Sequence, residues 1–205
     1  MNAKILLVTP PYHAGVVEAS GTYLPLALVC VAGALERAGY AVEIYDAMSA
    51  FSTHDQIEEK IRLSHPDFVA VTAITASVND AIEVLAAAKR VDGAIGTILG
   101  GVHPTFMWKE ILQAPGSPVD FIVRGEGEVT TPELLDAVSG ELSLSSIAGL
   151  AFRGPDGAAR AGPRRLDVSD LDALPAAWHL LDCSLYSFRP QPGSVLAVVS
   201  SSRAC

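Results

Sequence analysis

The chain has 205 residues, half of them hydrophobic, with 14 Lys and Arg against 23 Asp and Glu and a formal net charge of −9. With a pI near 4.9 and a mean hydropathy of +0.34, this is the composition of a soluble globular chain that can bury one core of roughly 150 residues plus an appendage. An acidic chain without a basic face excludes a phosphate-backbone partner, so no nucleic acid is expected.

Met1 to Val8 carries an apolar run of at most five residues and no small-residue cleavage site, so it reads as a buried first strand rather than a signal peptide. No run approaches the ~18 apolar residues that span a bilayer. Cys30, Cys183 and Cys205 are widely spaced and odd in number, which fits a reducing cytoplasm better than a disulfide framework.

Strand and helix patterns then alternate five times. Lys4 to Thr9 is a continuous apolar strand, followed by a loop rich in Pro, Gly and Ser and a helix from about Pro25 to Ala38 that Gly39 stops. A second strand, Ala41 to Tyr45, leads to a helix near Asp55 to Ser64; a third, Phe68 to Thr72, leads to one near Asn79 to Arg90. The fourth and fifth strands, Thr97 to Leu99 and Phe121 to Val123, precede helices from about Thr105 to Gln113 and Thr131 to Val138. Such alternation predicts an α/β fold, a doubly wound five-stranded parallel sheet covered on both faces, for which the flavodoxin-like order 2-1-3-4-5 is the natural choice.

After Gly140 the pattern changes. Ala151-Phe152-Arg153 and Ala158-Ala159-Arg160 flank the turn signal Gly154-Pro155-Asp156-Gly157, predicting a small hairpin. Residues from Pro163 to Pro192 read as a linker packed on a surface and anchored by Leu166, Leu171, Leu174, Trp178, Leu180 and Tyr186, and Val195 to Ser200 reads as a further strand. The expected division is residues 1–140 as one α/β domain, 141–192 as hairpin and linker, and 193–205 as the first strand of a second domain cut short.

Two glycine-rich turns follow apolar strands at the edge where a parallel sheet binds its ligand: Gly100-Gly101-Val102-His103-Pro104 and Arg124-Gly125-Glu126-Gly127-Glu128. Glycine lacks a Cβ, so each turn can take positive φ and bring bare backbone, its donors left free, against a bulky flat molecule. A valine at Gly101 is accordingly expected to weaken ligand binding while the fold survives.

Most doubly wound chemistries fail on the loops. A receiver domain needs acidic residues where Thr9-Pro10-Pro11 and Thr72-Ala73-Ile74 stand, and the double proline removes donors a flavin-phosphate loop would use. Gly125-Glu126-Gly127-Glu128-Val129-Thr130 lacks the third glycine of a dinucleotide fingerprint, follows the wrong strand and sets two glutamates against a pyrophosphate. What remains is a crevice of prolines, glycines, hydroxyls and apolar residues, suited to a large cofactor rich in amides and poor in concentrated charge.

The series ILLVTPPY, GTYLPLALVCVAGALERAGY, VTAITAS, ILGGVHPT and DFIVRGEGE resembles the N-terminal cobalamin-binding domain of cobalamin-dependent radical S-adenosylmethionine enzymes. IAGLAFR, LDALPAAWHLLD and VVSSSRAC are similar to the same family's linker and first barrel strand, so the resemblance covers essentially the whole chain. The nearest group is the anaerobic magnesium-protoporphyrin ester cyclases and their methyltransferase relatives. The resemblance implies cobalamin as a small-molecule cofactor and a radical S-adenosylmethionine barrel in cis. It further implies a 4Fe-4S cluster and S-adenosylmethionine in the full-length protein only, with methyl transfer or oxidative cyclisation as the reaction. It makes Cys205 the first cysteine of the cluster motif CxxxCxxC, an incomplete metal site in this chain.

The family's cofactor-contacting loops fall here on Pro10, Pro11 and Tyr12, on Thr72, Thr75 and Ser77, on Gly100, Gly101, Val102 and His103, and on Gly125, Glu126 and Gly127. Their implied chemistry is backbone and hydroxyl hydrogen bonding to corrin side-chain amides and the nucleotide tail, with the dimethylbenzimidazole displaced from cobalt. Where histidine-ligating relatives carry DxHxxG, this chain has Tyr12-His13-Ala14-Gly15, lacking the aspartate and one spacer. Without a partner to fix its tautomer, His13 reads as a solvated loop residue and not an axial ligand.

His103 caps its turn or touches the cofactor, and His54, His65 and His179 face solvent or the linker. Glu126 and Glu128 shape a helix start near its positive end rather than catalyse. Cys30 belongs to the core and Cys183 to the linker surface, and no residue of this chain is expected to be catalytic. Two other classes remain open from the residues alone: a stand-alone cobalamin carrier or sensor, and a docking domain that kept the fold without the cofactor.

Overall fold

The computed structural model describes residues 3–13, 21–140 and 143–188, together with residues 194, 198 and 200. The expected final strand falls mostly, and Cys205 wholly, outside the described residues. Strand β1 is Lys4–Thr9, β2 the short Gly21–Thr22, and helix α1 spans Leu26–Arg37. Gly39, at φ 91°, ends α1 as expected. Next come β3 (Ala41–Asp46), α2 (His54–Ser64), β4 (Phe68–Thr72), α3 (Val78–Val91) and β5 (Gly96–Gly100). Helix α4 (Val102–Gln113), β6 (Phe121–Val123) and α5 (Gly127–Ser139) complete the wound region, and β7 (Leu150–Arg153), β8 (Ala159–Ala161) and β9 (Ser187–Phe188) follow.

The main sheet has the order β3-β1-β4-β5-β6-β7-β8. Its first five strands pair in parallel, in the predicted order. Alternate side chains serve two cores. Leu6, Val8, Val69, Val71 and Leu99 meet α2, α3 and α4 through Ile57, Ile61, Leu85 and Ile111. Ile5, Leu7, Ile98 and Val123 meet α1 and α5 through Leu28, Leu35, Leu134 and Leu135. Helices on opposite faces of neighbouring β1 and β4 open a crevice at the C-terminal sheet edge, the usual ligand position in such folds.

The sheet has seven strands where five were expected. The hairpin does not stand apart, because β7 pairs antiparallel with β6 and β8 with β7. Consecutive burial of Leu150, Ala151 and Phe152 marks a strand covered on both faces, which the turn signal alone did not convey. Two helices also start earlier than predicted. Pro104 suits the first turn of α4 because its missing N–H would have no partner there. In α5 the helix begins at Gly127 and carries Pro132 inside.

The segment after β8 packs along α1. Ala177 N donates to Val29 O at 3.1 Å and Arg37 Nη1 to Ala173 O at 3.1 Å. Gly33 permits this approach, since a Cβ there would lie 2.5 Å from Pro175 O. Leu180 reaches the core, but Leu166 is 84 % exposed and anchors nothing. Tyr186 OH donates to Asp46 Oδ2 at 3.0 Å, and β9 pairs with β2. Among the described residues no helix is long and apolar enough to cross a membrane.

Candidate functional site

A cavity of about 450 Å³ lies between the C-terminal half of the sheet and helices α1 and α5. Its floor follows from register: Ala70 sits between Leu7 of β1 and Ile98 of β5. A single methyl between two long aliphatic side chains leaves the space unfilled. Leu28 and Val31 of α1 form one wall, and Gly127 and Thr131 of α5 the other. The surroundings are apolar, as a flat aromatic group requires. Glu126 and the buried Glu128, 6 % exposed, are the two charged residues of the lining.

The two glycine turns rim this cavity and differ in what their missing side chains allow. Gly101 has φ 102°, and a Cβ there would lie 2.5 Å from Ala73 O and 2.8 Å from Ala73 N. Its bareness serves the chain's own backbone. This corrects the expectation that a valine at Gly101 would spare the fold. Gly125, at φ 77°, has nothing within 4 Å of its Cβ position, so space beside its backbone is open to a ligand.

The turn donors are not all free either. Gly125 N donates to Thr105 Oγ1 at 2.9 Å. Arg124 fastens the second turn from behind. Its N donates to Gly149 O at 2.7 Å, its Nη2 donates to Gly162 O at 2.7 Å, and its guanidinium lies 5.5 Å over the Trp108 ring. Burial pushes its pKa below the usual arginine value. Glu126 is the residue before α5, yet its carboxylate makes no side-chain cap bond and instead accepts from Val168 N.

Of the sequence-predicted site residues, the fold brings Thr72, Gly100, Gly101, Gly125, Glu126 and Gly127 to one cavity. Pro10, Pro11, Tyr12, Thr75, Ser77, Val102 and His103 lie outside its lining. Tyr12 N closes the proline loop onto Pro10 O at 2.8 Å. Ser77 Oγ is buried and accepts from Ile74 N at 3.2 Å, holding the turn before α3. His103 Nδ1 pairs with Thr75 Oγ1 at 3.1 Å, and the His103 ring borders a groove beyond α4.

His13 stacks on Phe51, centroids 4.7 Å apart with a 1° interplanar angle, and does not reach the cavity. Among the described residues no group of three or more His, Cys, Asp or Glu could hold a metal ion. Sequence reasoning missed Leu7, Ala70 and Ile98, and α1 as a wall. The one available signal was the small residue inside the apolar run Phe68 to Thr72.

The B12 binding domain family matches residues 12–135. An anaerobic magnesium-protoporphyrin IX monomethyl ester cyclase of Rubrivivax gelatinosus is 36 % identical over 98 % of this chain and 37 % of its own length. In shape, the cobalamin-dependent S-adenosylmethionine radical enzyme OxsB, solved with aqua-cobalamin bound, superposes with a TM-score of 0.70 at 20 % identity, covering 86 % of this chain and 24 % of that one. The radical S-adenosylmethionine methyltransferase TsrM of Kitasatospora setae, solved with cobalamin and a [4Fe-4S] cluster, gives 0.64 at 22 % identity over 86 % of this chain and 31 % of that one. At these identities the two structures show a shared fold. The chain spans about a third of the length of the relatives it matches.

Proposed function

The chain belongs to the B12 binding domain family, and from that premise we propose that it is the cobalamin-holding unit of a radical S-adenosylmethionine enzyme that transfers a methyl group or closes a ring oxidatively. It is a cobalamin-binding domain by family; the barrel in cis, the cluster, S-adenosylmethionine and the reaction are the proposal, supported by the relatives named above. Residues 1–140 would form the cofactor domain, 141–192 the hairpin and linker, and 193–205 the first barrel strand.

The observation that carries the reading is the apolar cavity under an open glycine turn. Ala70, Leu7 and Ile98 make the floor, Leu28 and Val31 a wall, and Gly125 a gap in the rim. These residues fit the uncharged, planar benzimidazole of the nucleotide tail, which gains from leaving water. Bound cobalamin supplies a cobalt centre that carries a methyl group or changes oxidation state.

The chain's own part is to hold the tail, to present backbone and the Thr72 hydroxyl to the corrin amides, and to keep water from the tail pocket. Pro10, Pro11, Tyr12, Thr75, Ser77, Val102 and His103 would border the wider corrin face beyond the cavity.

Titration of the chain with aquacobalamin, followed by desalting, tests the reading. The wild-type chain should retain about one equivalent. Ala70→Leu, which fills the floor of the cavity with aliphatic volume, should bind at least about tenfold more weakly, or 1.4 kcal/mol, while folding as well as the parent. A wild-type chain that retains no cobalamin overturns the assignment, and an unaffected Ala70→Leu removes the cavity from it.

A further inference from the structure

We propose that Thr105 is a positioning residue for the cofactor edge, its single hydroxyl fastening the two glycine turns to each other. A threonine hydroxyl has one proton to give and lone pairs with which to accept. Thr105 uses both: Oγ1 donates to Gly101 O at 2.8 Å and accepts from Gly125 N at 2.9 Å.

The first bond by itself would be unremarked, because a helical threonine commonly bonds the carbonyl four residues back, and Thr105 N also donates to Gly101 O, at 3.2 Å. The second bond is different in kind. Gly125 lies 20 residues further along the chain, on another strand's turn, so the hydroxyl joins two separate loops.

The clasp sits in the middle of a continuous series of cross-loop bonds. On one side Ala73 N donates to Gly100 O at 2.8 Å and His103 N to Ala73 O at 3.3 Å, tying the β4–α3 loop to the first glycine turn. On the other side Arg124 N donates to Gly149 O at 2.7 Å, tying the second turn to the residue that precedes β7. Thr105 Oγ1 joins the two halves of this series, and Gly125, at φ 77° with open space around its Cβ position, has no side chain of its own to hold it.

Fixing both turns before the ligand arrives lowers the ordering cost of binding. Thr105 thus acts through Gly101 and Gly125 rather than by touching the cofactor; it is not among the residues lining the cavity. The inference rests on the cobalamin reading for its ligand, but not for its geometry.

Two substitutions and two readouts test it. Thr105→Val keeps the shape and β-branching and removes both bonds; Thr105→Ser keeps the hydroxyl and loses only the methyl. In the cofactor-free chain, the Gly125 amide should exchange hydrogen at least about tenfold faster in the valine variant and near the wild-type rate in the serine variant. In aquacobalamin titrations, the valine variant should bind at least about tenfold more weakly and the serine variant within about twofold of wild type. Unchanged exchange and affinity in Thr105→Val overturn the proposal, as does a serine variant that falls as far as valine. Should the wild-type chain retain no cobalamin, the cofactor reading fails instead, and the exchange of Gly125 still decides whether the clasp exists.

Discussion

Gly101 and Gly125 look alike in the sequence and separate under substitution. At Gly101 any side chain meets Ala73 backbone within 2.8 Å and also needs φ 102°, so Gly101→Val should destabilise the fold by more than about 2 kcal/mol. At Gly125 the space is open, so Gly125→Ala should cost stability only the left-handed strain of about 1 kcal/mol and express its main effect as weaker cobalamin binding. Thermal melts and titrations of both variants check the contrast; equal melting losses would contradict it.

The two turns were legible as a ligand edge, because glycine after an apolar strand has few other uses. Their difference was not, since it depends on Ala73, which only the β4–β5 pairing brings beside Gly101. The Gly125 amide, expected to be free, is bound by Thr105, and Leu166, an expected anchor, is exposed.

Glu43 makes the fold's stability depend on pH. Burial alone would raise its carboxyl, but Lys60 and Lys4 and the Ser64 hydroxyl, which donates to Oε2 at 3.1 Å, together hold its pKa below the usual value. A carboxylate with a depressed folded-state pKa adds stability that is present above its unfolded pKa, about 4.3. That contribution is lost as pH falls through the folded value. Urea midpoints of Glu43→Gln should therefore lie below wild type at pH 7 and converge with it at the acid end; parallel pH curves would contradict the assignment.

Among the elements, the segment after β8 carries the least expected contact. Its Tyr186 hydroxyl donates to Asp46 Oδ2 at 3.0 Å, while Asp46 Oδ1 accepts from Thr9 Oγ1 at 2.6 Å and from Ser49 N at 3.1 Å. Burial, reinforced by Asp46, pushes the Tyr186 phenol above the ordinary tyrosine value. The bond is worth about 1 kcal/mol, and Tyr186→Phe should lose that amount and admit protease to residues 163–188 sooner. The raised pKa gives stability that is intact below about pH 10 and declines above it. Wild-type resistance to limited proteolysis in Tyr186→Phe would show that the Tyr186–Asp46 bond does not hold this segment.

Element existence and strand order came readily from alternating apolar runs and turn residues. The starts of α4 and α5 did not, because Pro104 and Pro132 signal a first turn equally well at several offsets. Nor did the attachment of β7 to β6, since pairing partners follow from tertiary burial rather than from local pattern.

For the molecule as a whole, cofactor binding and cluster assembly should separate. Cys30 is buried in α1 and Cys183 is exposed on the segment after β8, so they cannot converge as a set of thiolate ligands, and a [4Fe-4S] cluster needs several such ligands. Anaerobic reconstitution of the 205-residue chain with iron and sulfide should leave no cluster absorbance after desalting, while cobalamin is retained. Stable cluster uptake by this chain would require a ligand set the described residues do not offer.

In the proposed complex the cavity between the sheet and α1 receives the nucleotide tail, leaving cobalt without the benzimidazole and without a protein histidine. Electron paramagnetic resonance of the chain loaded with cob(II)alamin reads this arrangement at the metal, because a nitrogen bound axially to cobalt splits each line into three. Cobalt hyperfine lines without that threefold splitting are expected, with the same spectrum in His13→Ala and His103→Ala. Threefold-split lines in the wild-type complex would contradict it, placing either the benzimidazole or one of those imidazoles on the metal.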